Sequence, residues 1–209
     1  MEFWDRLDAV AERFDVLRHP FYVRWSEGML TRDELALYAG QYAHAVRALA
    51  AAARSAAERA PSATATEHAA EEEAHVGLWE EFARTAGANP ARPLPETSDC
   101  AQAWADPGRA LLPTLVALYA IESAQPAISK TKRIGLVDRY GYRPGPATAY
   151  FDVHAERDLE HARAGREAIA ELRDGSDDDA LVAEAERVLA ANWRLLDGVD
   201  RACAAPPNR

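Results

Sequence analysis

Three side chains that can bind a metal ion recur at helical spacing towards the end of the chain. His154, Asp158 and His161 form the pattern His-x3-Asp-x2-His inside a segment rich in helix-forming residues. Because residues three and four apart lie on one face of a helix, we expect the three side chains to point in the same direction. Taken alone, this motif leaves two interpretations open: a metal site, or a solvated helix face with polar pairs.

A second carboxylate–histidine pair lies earlier in the chain. Glu72 and His75 are three residues apart, and helical bundles use this spacing to present ligands to two-metal sites. Residues 71 to 73 are all glutamate, so the spacing also arises easily on a solvated helix face. Glu71 or His68 could therefore face the site in place of Glu72.

Glu122 adds a carboxylate from a third predicted helix. It follows four apolar residues, 118–121, and a carboxylate among such neighbours is costly unless a metal ion or an arginine pairs with it. Three histidines and three carboxylates on three helices favour a site for two iron or manganese ions. Cys100 and Cys203 lack the spacing of a structural zinc or iron–sulfur site.

Length and composition limit the classes of protein that remain. The 209 residues, 48% hydrophobic and 28% charged, suit a single globular domain over residues 1–209. The net charge of −10 argues against nucleic acid as a partner. We expect no signal peptide and no membrane span, because no uninterrupted apolar run approaches the ~18 residues that a span needs. With only two cysteines, the simplest expectation is a reduced, cytoplasmic protein that acts on small molecules.

The hydrophobic pattern is helical throughout and predicts an all-α protein. No segment shows the alternation of a strand, and Pro, Gly and capping residues separate the helices. Thr31 and Glu34 form a predicted capping box, while 87–105 is predicted to be a proline-rich connection and 140–146 a loop. We predict a bundle of seven helices over about 2–17, 20–25, 31–60, 64–86, 107–137, 147–173 and 179–204.

With these motifs in place, the chain resembles the haem-oxygenase-like diiron oxidases over nearly its whole length. These proteins share the haem-oxygenase-like fold of the TenA and PqqC proteins, so the resemblance implies a seven-helix bundle of that type. The family's ligands are a glutamate, a histidine, a glutamate and then His-x3-Asp-x2-His. The matching residues here are Glu72, His75, Glu122, His154, Asp158 and His161.

Within that family the chain looks most like the CADD-like branch, which makes para-aminobenzoate, a folate precursor, from its own side chains. The matching motifs are His-Pro-Phe-Tyr (19–22), Leu-Thr-Arg-Asp-Glu-Leu (30–35), Tyr-Ala-Gly-Gln-Tyr (38–42) and His-Val-Gly-Leu-Trp-Glu-Glu-Phe (75–82). The resemblance implies that Tyr22 supplies the ring, that Lys132 donates the amine and that Tyr38 is a second active-site tyrosine. From the residues alone, Tyr22 could be a core aromatic and Lys132 a surface residue.

This sequence departs from the branch in two places. The segment ahead of His75 is shorter, so the match of Glu72 rests on a shifted spacing. Ile121 stands where a tyrosine can precede the glutamate of the third helix, which bears on how radicals move near the metals.

The resemblance also implies the cofactors and leaves other functions open. The expected cofactors are two metal ions, Fe/Fe or Fe/Mn, with dioxygen and an external reductant, and the expected assembly is a homodimer. One alternative is a diiron oxidase that acts on an external fatty acid, amine or amino acid. Others are a TenA- or PqqC-like enzyme without a diiron centre, which in TenA uses a cysteine nucleophile, and a non-enzymatic interaction module.

Overall fold

The computed structural model describes residues 2–175 and 177–204. Capping residues set the ends of several helices. Thr31 Oγ1 accepts a hydrogen bond from the Glu34 backbone amide at 3.2 Å, and the Glu34 carboxylate accepts one from the Thr31 backbone amide at 2.7 Å. This confirms the predicted capping box. The Ser62 hydroxyl begins the next helix by accepting from the Ala65 amide at 3.0 Å. Gly28, at φ 74°, ends a short helix in the left-handed conformation that glycine tolerates.

The all-α prediction is confirmed, since the described residues contain helices and no strand. A 3₁₀ turn, Val16–Arg18, follows the first helix. The α-helices are α1 Phe3–Arg13, α2 Pro20–Glu27, α3 Arg32–Arg59, α4 Ala63–Thr85, α5 Pro95–Ala105, α6 Leu111–Glu122, α7 Gln125–Asp138, α8 Ala149–Leu172 and α9 Asp178–Ala204.

The described residues form nine α-helices rather than the predicted seven. The proline-rich segment was wrongly assigned as a connection over its whole length, because Pro95 stands in the first turn of α5, where its missing amide breaks no helical hydrogen bond. The predicted helix over 107–137 is interrupted between α6 and α7. Pro126 has no amide to donate to the Glu122 carbonyl, so α6 ends at Glu122 and α7 begins with Pro126 in its first turn.

Two groups of helices position the chemistry-bearing side chains. Helix α8 packs against α4, α6 and α7, which brings the three motifs with metal-binding residues together. Helix α2 packs against α7, which brings Tyr22 towards Lys132. Helix α3 runs through the bundle and buries an alanine-rich face, which lets α4 and α5 approach it closely.

The segment Leu111–Asp138, which comprises α6 and α7, is long and apolar enough to cross a membrane by length and composition. We predicted no membrane span here, because Glu122 and Lys130 interrupt the apolar residues of this segment. Within this segment, 50% of an apolar 18-residue stretch is buried inside the bundle, and both Glu122 and Lys132 are buried in the interior. A core segment of a soluble protein has the same properties, so this is weak evidence for a membrane span.

Candidate metal centre

The six predicted ligands lie together where α4, α6 and α8 meet. Five of them are almost inaccessible to solvent and the sixth, His161, is partly buried. The relative exposures of the five are Glu72 1%, His75 4%, Glu122 2%, His154 1% and Asp158 1%. The helical spacing therefore does bring the three motifs into one cluster, while their role as ligands stays a prediction.

The cluster contains two groups of potential ligand atoms. In the first, which we call the inner group, atoms of Glu72, His75 and His154 lie within 4.8 Å of one another. In the second, the outer group, atoms of His68, Glu72 and His161 do so, and His68 Nε2 also lies 2.9 Å from Glu122 Oε1. Glu72 belongs to both groups, so its carboxylate would be shared between them if each group held an ion.

Several buried polar atoms in this cluster have no hydrogen-bond partner among the described residues. They are Glu72 Oε2, His154 Nε2, Asp158 Oδ1, Asp158 Oδ2 and His161 Nδ1. A buried polar atom without a partner costs about 1–3 kcal/mol, so five in one place are not explained by the protein alone. Bound metal ions would satisfy them, and the donor set of imidazoles and carboxylates fits iron.

Hydrogen bonds to neighbouring groups determine which ring nitrogen of His154 and of His161 faces the cluster. His154 Nδ1 donates to the Tyr150 carbonyl oxygen at 2.8 Å, which leaves Nε2 towards the site. His161 Nε2 lies 2.8 Å from Glu71 Oε2, which leaves Nδ1 towards Asp158. Glu71 also pairs with Arg157. Glu71 therefore orients His161 from outside the cluster, as outer carboxylates commonly do around metal sites.

The electrostatics of the cluster favour added positive charge. Within residues 2–175 and 177–204, no lysine or arginine forms an ion pair with Glu72, Glu122 or Asp158. Burial raises the pKa of Asp158 to about 7, and burial lowers the pKa of His154 to about 4. Without cations burial disfavours the ionised form of Asp158, whereas divalent ions would stabilise that carboxylate and bind neutral imidazoles.

The residues implied as catalytic form a second buried cluster beside the first. The exposures of Tyr22 and Lys132 are both 2% and that of Tyr38 is 0%. Lys132 Nζ donates to the Tyr38 hydroxyl at 2.7 Å, and this hydroxyl lies 2.7 Å from the Tyr22 hydroxyl. The surface alternative for Lys132 is therefore wrong.

Lys132 is enclosed by aromatic rings. Its Nζ lies 4.8 Å from the Tyr22 ring centroid and 4.7 Å from that of Tyr42, and no carboxylate pairs with it among the described residues. Burial lowers the pKa of Lys132 well below its ordinary value. Burial in such surroundings favours the neutral form of the amine, whose lone pair is available for bond formation.

Two aromatic residues that the sequence analysis did not single out join the clusters. The Tyr150 ring stacks on His154 with centroids 3.9 Å apart. The ring centroid of Trp79 lies 4.8 Å from that of Tyr150 and 5.9 Å from that of Tyr38. The signal was present, since Tyr150 precedes His154 by four residues and Trp79 follows His75 by four, which places each on a ligand-bearing helix face.

A cleft of about 400 Å³ opens on the outer group. Its walls include apolar side chains of α3 and α6, such as Ala56 and Leu118, and the polar side chains of His68, Glu122 and His161. Arg157 also lines the cleft but is engaged by Glu71 and Glu160. Of the described cysteines, Cys100 is buried and Cys203 partly buried, and neither lines this cleft.

Known structures share this fold. A TenA homologue from Pseudomonas syringae superposes with a TM-score of 0.81 at 15% identity, covering 95% of this chain and 91% of the homologue. A domain of unknown function with a heme oxygenase-like fold from Shewanella denitrificans gives a TM-score of 0.79 at 20% identity, covering 97% and 93%. These likenesses confirm the predicted haem-oxygenase-like, TenA-like fold.

Sequence comparisons carry the assignment further. A 4-aminobenzoate synthase of Chlamydia muridarum is 30% identical, with 94% of this chain and 89% of the relative covered. A 4-aminobenzoate synthase of Nitrosomonas europaea is 29% identical, with 94% and 90% covered. The sequence profile of the iron-containing redox enzymes matches residues 36–193, well over half of the chain. The chain therefore belongs to the family of iron-containing redox enzymes.

Proposed function

We propose that this chain is a dioxygen-dependent 4-aminobenzoate synthase that consumes its own Tyr22 and Lys132. The observation that carries the proposal is the buried Lys132 amine, 2.7 Å from the Tyr38 hydroxyl and 4.8 Å from the Tyr22 ring centroid. Two relatives covered over about nine tenths of their length are 4-aminobenzoate synthases, which supports the same product.

Two metal ions would be held by Glu72, His75, Glu122, His154, Asp158 and His161. We propose iron as one ion and iron or manganese as the other, in line with the family and the donor set. When bound, the metals supply the activation of dioxygen, and an external reductant supplies electrons. The protein contributes ligand orientation through Glu71 and the Tyr150 carbonyl and shields the reacting groups from water.

The chemistry of the product explains why a tyrosine and a lysine are needed. A tyrosine ring with its Cβ carries the seven carbons of 4-aminobenzoate. Cleavage of the Cα–Cβ bond, with oxidation of Cβ to a carboxyl group by dioxygen, would give the carboxylate. The lysine amine would replace the hydroxyl of the oxidised ring, whose oxygen leaves as water. Oxidation of the lysine Nζ–Cε bond to an imine by dioxygen, followed by hydrolysis, would leave the nitrogen on the ring and Cε as an aldehyde. Lys132 supplies that nitrogen as a neutral amine, and Tyr38 holds the amine next to Tyr22 through its hydroxyl.

Product formation in single-turnover conditions tests this proposal. Protein is loaded anaerobically with ferrous iron, exposed to air with a reductant, and analysed for released 4-aminobenzoate. We expect Tyr22→Phe and Lys132→Arg to abolish product while metal binding persists. Lys130→Arg is the matched control, because Lys130 is exposed and lies two residues away. Product from the Tyr22→Phe variant would show that Tyr22 is not the source of the ring.

The cleft favours a second candidate function, oxidation of an external small substrate at the same centre. Its volume of about 400 Å³ accommodates a small organic molecule beside the outer group. Against this, Arg157 is already bound to carboxylates and is not free to hold a substrate carboxylate. If this second function is correct, Lys132→Arg will leave turnover of the external substrate unchanged.

We further propose that residues 1–209 form one domain and that the enzyme works as a homodimer in the cytoplasm. The shared fold over nearly the whole chain supports the single domain. Light scattering on the purified protein tests the dimer, and a monomer at micromolar concentration would refute it.

A further inference from the structure

His68 lies on α4 one turn before Glu72 and faces the metal cluster. Its Nε2 is 2.9 Å from Glu122 Oε1 on α6, and its side chain is 19% exposed. Atoms of His68, Glu72 and His161 lie within 4.8 Å of one another. The six predicted ligands leave this imidazole without a role.

We propose that His68 is a seventh ligand of the metal centre, which binds the second ion together with Glu122 and His161. This inference rests on the proposed dimetal centre. It assigns Glu72, His75 and His154 of the inner group to one ion. It assigns His68 and His161 of the outer group, together with Glu122, to the other ion, and Asp158 lies beside them.

The sequences of the two ligand helices support this division. Residues 68–75 of α4 read His-x3-Glu-x2-His, and residues 154–161 of α8 read His-x3-Asp-x2-His. Both motifs place a histidine, a carboxylate and a histidine on one helix face over two turns. Helix α4 therefore carries the same arrangement of ligands as α8, provided that His68 is counted.

The contacts between these motifs are paired in the opposite order along the two helices. The rings of His75 and His154 have centroids 4.3 Å apart, and those of His68 and His161 are also 4.3 Å apart. The first histidine of each motif thus meets the last histidine of the other. This antiparallel pairing gives two histidine pairs, a buried pair in the inner group and a pair at the cleft in the outer group.

The contact between His68 and Glu122 has the geometry of neighbouring ligands. Metal–imidazole and metal–carboxylate bonds are about 2.0–2.2 Å long, so two ligand atoms at a right angle around one ion lie about 3 Å apart. The observed separation of 2.9 Å matches this spacing. The rival role for His68 is an outer one, in which it only donates a hydrogen bond that orients Glu122.

Crystals of the full-length protein soaked with Mn²⁺, with anomalous maps, distinguish these roles. We expect two ions per chain, one of them about 2.1 Å from a His68 nitrogen. Two ions that both lie more than 3 Å from His68 would overturn the inference and leave the dimetal centre intact. A wild-type protein that binds no ion would overturn the dimetal centre and the inference with it.

A titration with Mn²⁺ gives an independent test in solution. His68→Gln keeps a side-chain amide that can donate to Glu122 but removes the imidazole. We expect one tight ion to remain and the affinity for the second to fall more than about a hundredfold, beyond the 10–100-fold loss typical of an orienting residue. His44→Gln is the control, because His44 lies on α3 and its Nε2 donates to the Ala91 carbonyl oxygen, not to a carboxylate of the cluster. A folded His68→Gln protein that binds the second ion as tightly as wild type, or with a loss of no more than about a hundredfold, would contradict the proposal.

Discussion

The close approach of α2 and α7 aligns Tyr22 with Lys132, and Gly135 makes that approach possible. A Cβ built on Gly135 would lie 2.6 Å from Trp25 Nε1 and 2.7 Å from Trp25 Cδ1. Trp25 is 0% exposed, and its Nε1 donates to the Lys132 carbonyl oxygen at 3.2 Å. Gly135→Ala must therefore push the indole ring and α7 apart.

The size of this effect follows from opposing contributions. Overpacking a core costs about 1–3 kcal/mol, and loss of the Trp25 hydrogen bond costs about 1 kcal/mol. Alanine in a helix returns about 1 kcal/mol relative to glycine. We expect Gly135→Ala to lower the free energy of unfolding by about 1–3 kcal/mol and to reduce the yield of 4-aminobenzoate, because the displaced α7 carries Lys132.

Gly77 provides the matched control for this prediction. It is also a helical glycine, on α4, and a Cβ there meets no atom within 4 Å. Gly77→Ala should raise the free energy of unfolding by about 0.5–1 kcal/mol and leave product yield unchanged. Urea denaturation measures both variants. A Gly135→Ala protein as stable as Gly77→Ala and fully productive would refute the role assigned to the α2–α7 contact.

Other predictions concern the buried amine and the metals. Because the folded pKa of Lys132 is lowered, the unfolded chain binds more protons between that pKa and the ordinary 10.5, so stability rises with pH across this window. Lys132→Met should therefore exceed wild type in stability at pH 7 by a margin that shrinks towards pH 10; a margin independent of pH in urea denaturation would contradict the neutral amine. The outer group borders the cleft, whereas the inner group is buried, so a chelator should remove one ion faster than the other, as measured by metal release in stopped flow. Equal release rates would argue against this asymmetry. Removal of both ions should lower the melting temperature, since bound ligands stabilise the folded state; an unchanged melting temperature in calorimetry would show that the metals do not bind the folded protein.

The sequence predicted those parts of the site that depend on helical periodicity. The spacing within 154–161 and between Glu72 and His75 fixes which side chains share a face, and the structure brings these faces together. The helix ends set by Thr31 and Gly28 were equally predictable, because capping and left-handed turns are local properties.

The remaining features depend on contacts between distant segments. Lys132 lies in a polar stretch, Ser-Lys-Thr-Lys-Arg (129–133), so nothing local shows that it is buried. The choice between Glu71 and Glu72 is made by Arg157, which draws Glu71 out of the cluster from another helix. The interruption at Glu122 and the start of α5 were missed because a proline can begin a helix as well as end one.

The central claim is that the ring of the product comes from the protein's own Tyr22. The most direct measurement uses protein grown with ring-¹³C tyrosine, loaded with iron and exposed to dioxygen and a reductant in the presence of excess unlabelled tyrosine. The account predicts ¹³C-labelled 4-aminobenzoate, with peptide mapping that places the loss of side-chain mass at Tyr22. Unlabelled product, or labelled product with Tyr22 intact, would contradict it.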